Sequence, residues 1–168
     1  MRYFWKHAVK SMLALFVLGL VMAGAVTVMA ETQFSPKIKS AMAAMKESAA
    51  KLGAAKIDGA SLFFGTTKMN DNFELVDSLK SKFGGTATFF VKKGDAFVRI
   101  STNVMKDGKR AIGTPLDPSG PAIAAIRQGK AYYGIVDILG KLYDTGYEPI
   151  KNGKAEIIGI YYIGYPME

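Results

Sequence analysis

From Ser35 to Leu52 the apolar residues Ile38, Ala41, Met42, Met45, Ala49 and Leu52 recur at three- and four-residue steps. Side chains three or four apart share one face of a helix, so this spacing predicts a helix over 35–53. Ser35-Pro36 supplies an N-cap and a first-turn proline, and Gly53 supplies the stop. The stripe is built of Ala and Met rather than Leu, which permits close approach. It predicts packing on the chain's own sheet or, as the alternative, a homodimer through this helix.

Downstream, Ser61 to Gly65 is a short apolar run that reads as a strand, and Phe73, Val76, Leu79, Lys80 and Phe83 follow at helical spacing up to Gly84-Gly85. Beyond that point the period falls to two. Thr86 to Val91 and Ala96 to Thr102 are β-rich runs joined by Lys92-Lys93-Gly94-Asp95, a hairpin signal. Asp107-Gly108 marks a second turn, and the proline- and glycine-rich stretch 113–121 predicts irregular chain. A short helix at Ala122 to Gln128 precedes three more strands, Ala131 to Leu139, Leu142 to Ile150 and Ala155 to Tyr165, which form an antiparallel meander. The expected class is therefore α+β: a long N-terminal helix, then a mostly antiparallel sheet of about five strands with shorter helical pieces beside it.

Charge divides the 168 residues differently. Met1 to Lys10 carries Arg2, Lys6 and Lys10 without an acid, and Ser11 to Ala30 then runs without any charge into small residues at Val28-Met29-Ala30. A basic flank, an apolar stretch and a small-residue end are the three regions of a secretory signal, with cleavage expected after Ala30. The competing reading is an uncleaved N-terminal membrane anchor, since about 20 apolar residues also span a bilayer. Either way residues 31–168 are expected outside the cytoplasm, in the periplasm, as one domain. Three of the 22 basic residues belong to the leader, leaving 19 against 14 acids, or +5 in place of +8. The remaining cations are scattered singly or in pairs, with no basic stripe for nucleic acid.

The chain has no Cys, and its one His, His7, lies in the leader. Thiol nucleophiles, disulfides, Ser-His-Asp triads and His/Cys metal sites are thereby excluded from the domain. No carboxylate, Lys or Tyr stands in a catalytic motif, so the expectation is a protein that is not an enzyme and uses no cofactor and no metal.

An ordered set of segments carries a family resemblance. Phe97-Val98-Arg99-Ile100-Ser101-Thr102-Asn103-Val104, Asp107-Gly108-Lys109-Arg110-Ala111-Ile112-Gly113-Thr114, Tyr132-Tyr133-Gly134, Asp137-Ile138-Leu139-Gly140, Tyr147-Glu148-Pro149-Ile150 and Ile158-Gly159-Ile160-Tyr161-Tyr162-Ile163-Gly164 together resemble the single Cache domain of the Cache type 3 and type 2 fusion class. The resemblance implies a PAS-like fold, in which a long N-terminal helix packs on a curved antiparallel sheet of five to six strands whose concave face holds a small extracellular ligand. It implies a sensory module of chemoreceptors, histidine kinases or cyclase-type proteins. Such receptors carry a second membrane helix after the domain, whereas this sequence runs to Pro166-Met167-Glu168 without one. A binding protein that works with a separate membrane signalling protein is the expectation.

Strand alternation groups Phe97, Arg99 and Ser101, then Tyr143, Thr145 and Tyr147, then Tyr133, Ile135 and Asp137. If these three sets line one concave face, they supply a cationic fork, hydroxyls and aromatic walls, the composition of a small-ligand pocket. The candidate ligand-binding residues are therefore Arg99, Ser101, Tyr133, Asp137, Tyr143, Thr145 and Tyr147. Arg99 would hold a carboxylate, and Asp137 an amino group, so a short organic acid or an amino acid is the expected ligand. The plainer readings stand beside these: Arg99 on an exposed face, the tyrosines as packing, and Asp137 accepting turn amides before Gly140. A ligand-free interaction or dimerisation module is the alternative function.

Overall fold

The computed structural model describes residues 33–167. Residues 1–30, with the cleavage or anchoring expected of them, lie outside the described residues. In chain order the elements are α1 (Ser35–Leu52), β1 (Ala55–Asp58), β2 (Ser61–Phe64), β3 (Thr67–Lys68), α2 (Glu74–Phe83), β4 (Thr86–Lys93), β5 (Ala96–Thr102), β6 (Met105–Lys106), β7 (Lys109–Arg110), α3 (Pro121–Arg127), β8 (Tyr132–Ile138), β9 (Lys141–Lys151) and β10 (Ile157–Pro166). Five strands form the main sheet in the order β5-β4-β10-β9-β8, and β1, β2 and β3 form a small separate one. Every pairing is antiparallel. This is the expected PAS-like α+β fold.

The sheet separates two cores. On one face, the stripe Ile38, Ala41, Met42, Met45 and Ala49 of α1 is buried with Phe89, Ile150, Tyr161 and Ile163. The Ala/Met face therefore packs on its own sheet and is not open to a second copy. Helix α1 begins against Phe34, whose ring stacks on Tyr165 at 5.2 Å, rather than on a side-chain cap. It ends where Gly53 meets Gly65. A Cβ on Gly65 would lie 2.1 Å from the Leu52 carbonyl oxygen, so only glycine lets the helix end touch the β2–β3 turn.

On the other face, Phe90, Phe97, Leu116, Ile123, Ile126, Tyr147, Ile160 and Tyr162 form a second core under α3. The segment 113–116, predicted irregular, runs along the outer edge of β5. Arg99 N donates to Thr114 O (3.0 Å), Gly113 N to Arg99 O (2.9 Å) and Leu116 N to Phe97 O (2.8 Å). These bonds cover what would otherwise be an open sheet edge. Together with α3, the segment roofs this second face of the sheet.

Candidate functional site

Between that roof and the sheet lies a cavity of about 470 Å³, lined by Arg99 from β5, Pro115 to Asp117, the first turn of α3, the end of β8 and Tyr147 from β9. Arg99 is only 4% exposed. Its Nη1 donates to Thr114 Oγ1 at 2.8 Å, and more weakly to Pro115 O at 3.4 Å, while the guanidinium lies 4.9 Å over the Phe90 ring. Its Nε finds no acceptor among the described residues, and no carboxylate comes within ion-pair distance. Burial depresses the arginine's pKa, yet an arginine stays protonated at neutral pH. The result is a buried cation with part of its donor fork unmet, beside a cavity.

Two carboxylates stand at the rim. Asp117 accepts from the Ser119 amide (2.9 Å) and hydroxyl (2.8 Å), which hold its pKa below the usual range. Asp137 accepts the Gly140 amide at 2.9 Å, the turn contact anticipated as its plainer reading, while it also borders the cavity. Tyr147 and Tyr162, whose rings lie 4.9 Å apart, sit on the cavity side of the sheet. Burial pushes both phenols well above their ordinary pKa, so both are neutral hydroxyls.

The expected grouping of side chains is corrected at three places: Ser101, Tyr133 and, by the register that moves Tyr133, Asp137, which pairs with Leu142 off the face of Tyr147 and borders the cavity at the end of β8. Ser101 does not share a face with Arg99. Opposite β4, Phe89 pairs with Ser101 but Phe90 pairs with Arg99, leaving Ile100 as the extra residue of a bulge that reverses the alternation. Ser101 therefore points to the α1 face, where its hydroxyl donates to Asn72 O at 2.5 Å. Tyr133 also lies on the α1 face. It pairs with Gly146, and its hydroxyl donates to Glu148 Oε1 at 2.5 Å, while Lys46 Nζ of α1 meets Glu148 Oε2 at 2.5 Å. The residue beside Tyr147 is Tyr132, its register partner, with ring centroids 6.3 Å apart.

Thr145 and Tyr143 are on the cavity face but outside its lining: Thr145 Oγ1 donates to Gly134 O at 2.6 Å, and Tyr143 packs against the second core. Of the seven candidates, Arg99, Asp137 and Tyr147 border the cavity. Arg110, further along, is fully engaged: it forks onto Asp77 (2.8 and 2.7 Å) over the Phe73 ring. Among the described residues, no cluster of carboxylates is placed to hold a metal ion.

The Cache 3/Cache 2 fusion domain model matches residues 22–168. The chain belongs to this family. Cache domains are extracytoplasmic sensory domains, non-catalytic, which bind small-molecule ligands and act with signalling proteins. Among solved structures the chain is similar to the nlh2 GAF domain of A. aeolicus in an inactive state, at 11% identity and a TM-score of 0.47 over 78% of this chain and 83% of that one. It is also similar to a putative transcriptional regulator from Rhodococcus sp. RHA1, at 13% identity and a TM-score of 0.42 over 71% of each chain. No curated protein matches. Among the described residues no helix is long and apolar enough to cross a membrane.

Proposed function

We propose that this Cache domain is a non-catalytic periplasmic sensory module that binds a short organic acid or amino acid through Arg99. The observation that carries the reading is the buried guanidinium with an unmet Nε–H beside the cavity. Leaving a charged donor unsatisfied in the interior is costly, and a carboxylate entering the cavity offsets that cost with charge-assisted hydrogen bonds. The volume suits a small metabolite. Tyr147 supplies a neutral hydroxyl for the remaining carboxylate lone pairs.

The rim narrows the ligand further. Asp117 and Asp137 would repel a second anionic group and attract an ammonium, so an amino acid or amine-bearing acid fits better than a dicarboxylate. Ligand occupancy would then be read by a separate membrane-bound chemoreceptor or histidine kinase. The open cavity favours this over a ligand-free docking module, whose interior would be filled by side chains.

A thermal-shift screen over small acids, amino acids and amines tests the proposal, because a ligand that binds only the folded state raises Tm. At least one carboxylate is expected to raise it in the native protein and to lose that effect in Arg99→Ala. A screen with no shift, or equal shifts in both proteins, overturns the assignment.

A further inference from the structure

Consecutive residues of β8 and its turn, Ile135 to Leu139, all line the cavity. Strand alternation lets only every second residue do so from the sheet face, here Val136 and Ile138 on the side of Tyr147. Ile135 and Asp137 point to the opposite face, so a cavity that touches them as well lies along the edge of the strand. In the order β5-β4-β10-β9-β8, β8 is an outer strand of the sheet. The other outer strand, β5, is covered by residues 113–116, whereas across from β8 stands only the far wall of the cavity.

The turn fixes which main-chain groups face that edge. Leu139 and Gly140 both have positive φ, +56° and +86°, as a two-residue type I′ hairpin requires, and this makes Ile138 and Lys141 a bonded pair. Bonded and wide pairs alternate from there, so Asp137 with Leu142 and Ile135 with Asp144 are wide pairs. The Leu142 carbonyl bears this out by facing away from β8, where it accepts the Met167 amide at 2.9 Å. The N–H and C=O groups of Ile135 and Asp137 therefore point outward from β9. Among the described residues they have no hydrogen-bond partner.

An unpaired strand edge is a template for another extended chain. The donor and acceptor of Ile135 are repeated at Asp137, about 7 Å along the strand. To meet both sets a ligand must carry N–H and C=O groups at strand spacing, which takes peptide units; a free amino acid has none to offer. The charges around the cavity match the ends of a free peptide. Buried Arg99 suits the terminal carboxylate, and Asp117 and Asp137 suit the terminal ammonium. At about 470 Å³ the cavity falls in the range of pockets that hold drug-sized ligands, larger than a lone short acid needs.

We propose that the ligand is a short free peptide, of about two or three residues, that adds to the edge of β8 as an outer strand within the cavity. Its main chain bonds Ile135 and Asp137 while Arg99 holds its carboxylate. The inference rests on the Arg99 reading for the charged end of the ligand and adds the β8 edge as a second, separate determinant. An edge reads main chain rather than side chain, so short peptides are recognised as a class, with the apolar wall of Leu116, Pro121 and Ala122 favouring small apolar side chains.

Tri-alanine, tri-alanine methylated on both amide nitrogens, and alanine are titrated by calorimetry into the native protein, Arg99→Ala and Ile135→Pro. Proline at 135 removes one outward N–H and no bond to β9, which an edge strand tolerates, and the methylated peptide makes the same test without altering the protein. Tri-alanine is expected to bind the native protein at least about tenfold more tightly than alanine, and to lose about tenfold or more on methylation and in Ile135→Pro. Equal affinities for tri-alanine and its methylated form, or binding of alanine alone, overturn the β8 assignment and leave the Arg99 reading standing. Tri-alanine that binds Arg99→Ala as tightly as the native protein, but not Ile135→Pro, supports the edge and refutes the Arg99 reading. No binding of tri-alanine overturns the proposal, and concentration-dependent dimers that Ile135→Pro abolishes would then assign the edge to a second copy.

Discussion

Replacing Arg99 by methionine should make the ligand-free domain more stable while removing its ability to bind an anion. Substitution relieves the desolvation of a guanidinium that is 4% exposed, its unmet Nε included, an effect of several kcal/mol. What is lost is one charged hydrogen bond to Thr114, about 1.5–3 kcal/mol, and the contact with the Phe90 face, about 0.5–2 kcal/mol. Thr114 is not orphaned, because its hydroxyl still donates to Ala111 O at 2.7 Å. The balance favours methionine by about 1 kcal/mol or more, a rise of roughly 3–5 °C in Tm for a domain of this size. Differential scanning calorimetry of dialysed Arg99→Met against the native protein measures it. The same variant should bind the native ligand about 30-fold to several-thousand-fold more weakly, the cost of truncating one partner of a buried charged pair. A Tm that falls by several degrees would show that the guanidinium holds the roof to the sheet, and would refute the reasoning that it is kept for a ligand.

Further outcomes follow from other sites. Tyr133→Phe should cost about 1.5–3 kcal/mol in chemical denaturation through loss of its bond to Glu148, and leave ligand affinity unchanged because the residue faces α1. Gly159→Ala should destabilise by about 1–3 kcal/mol or more, since the new Cβ would lie 2.4 Å from the Phe90 carbonyl oxygen, which side-chain rotation cannot relieve. Leu139→Asn should raise stability by up to about 1 kcal/mol by suiting φ +56°, measured by chemical denaturation. Burial raises the Tyr161 phenol to about 12, with Tyr147 and Tyr162 also raised. In the unfolded chain tyrosine loses its proton near pH 10, so above that pH the folded state binds more protons and stability falls as pH rises. For Tyr161 the loss amounts to about 3 kcal/mol between pH 10 and 12, seen as tyrosinate absorbance that rises together with unfolding.

Much of the fold was legible because it depends on period and punctuation. The α1 stripe, the meander and the Gly-bearing turns all follow from spacing. The site depends on which face each residue takes, and there the reading succeeded only in part. The bulge at Ile100 leaves no mark in the alternation Phe97, Arg99, Ser101, because a single extra residue is set by pairing with β4. The placement of Tyr133 was recoverable. A two-residue turn pairs an odd-numbered residue with an even-numbered one, which puts Tyr132, not Tyr133, on the face of Tyr147. The roof residues Leu116 and Asp117 were not legible, since nothing local distinguishes a proline-rich loop that covers a sheet edge from one that hangs in solvent.

The central claim is that Arg99 meets an anion in the cavity, and its Nε–H reports this directly. The chain holds four arginines, Arg2, Arg99, Arg110 and Arg127, so their Nε–H resonances can be assigned by substitution. In a ¹H–¹⁵N NMR titration with the carboxylate that gives the largest thermal shift, the Arg99 Nε–H signal should move downfield, while the other three stay in place. An Arg99 Nε–H signal that stays unchanged while the ligand saturates the protein would contradict the account.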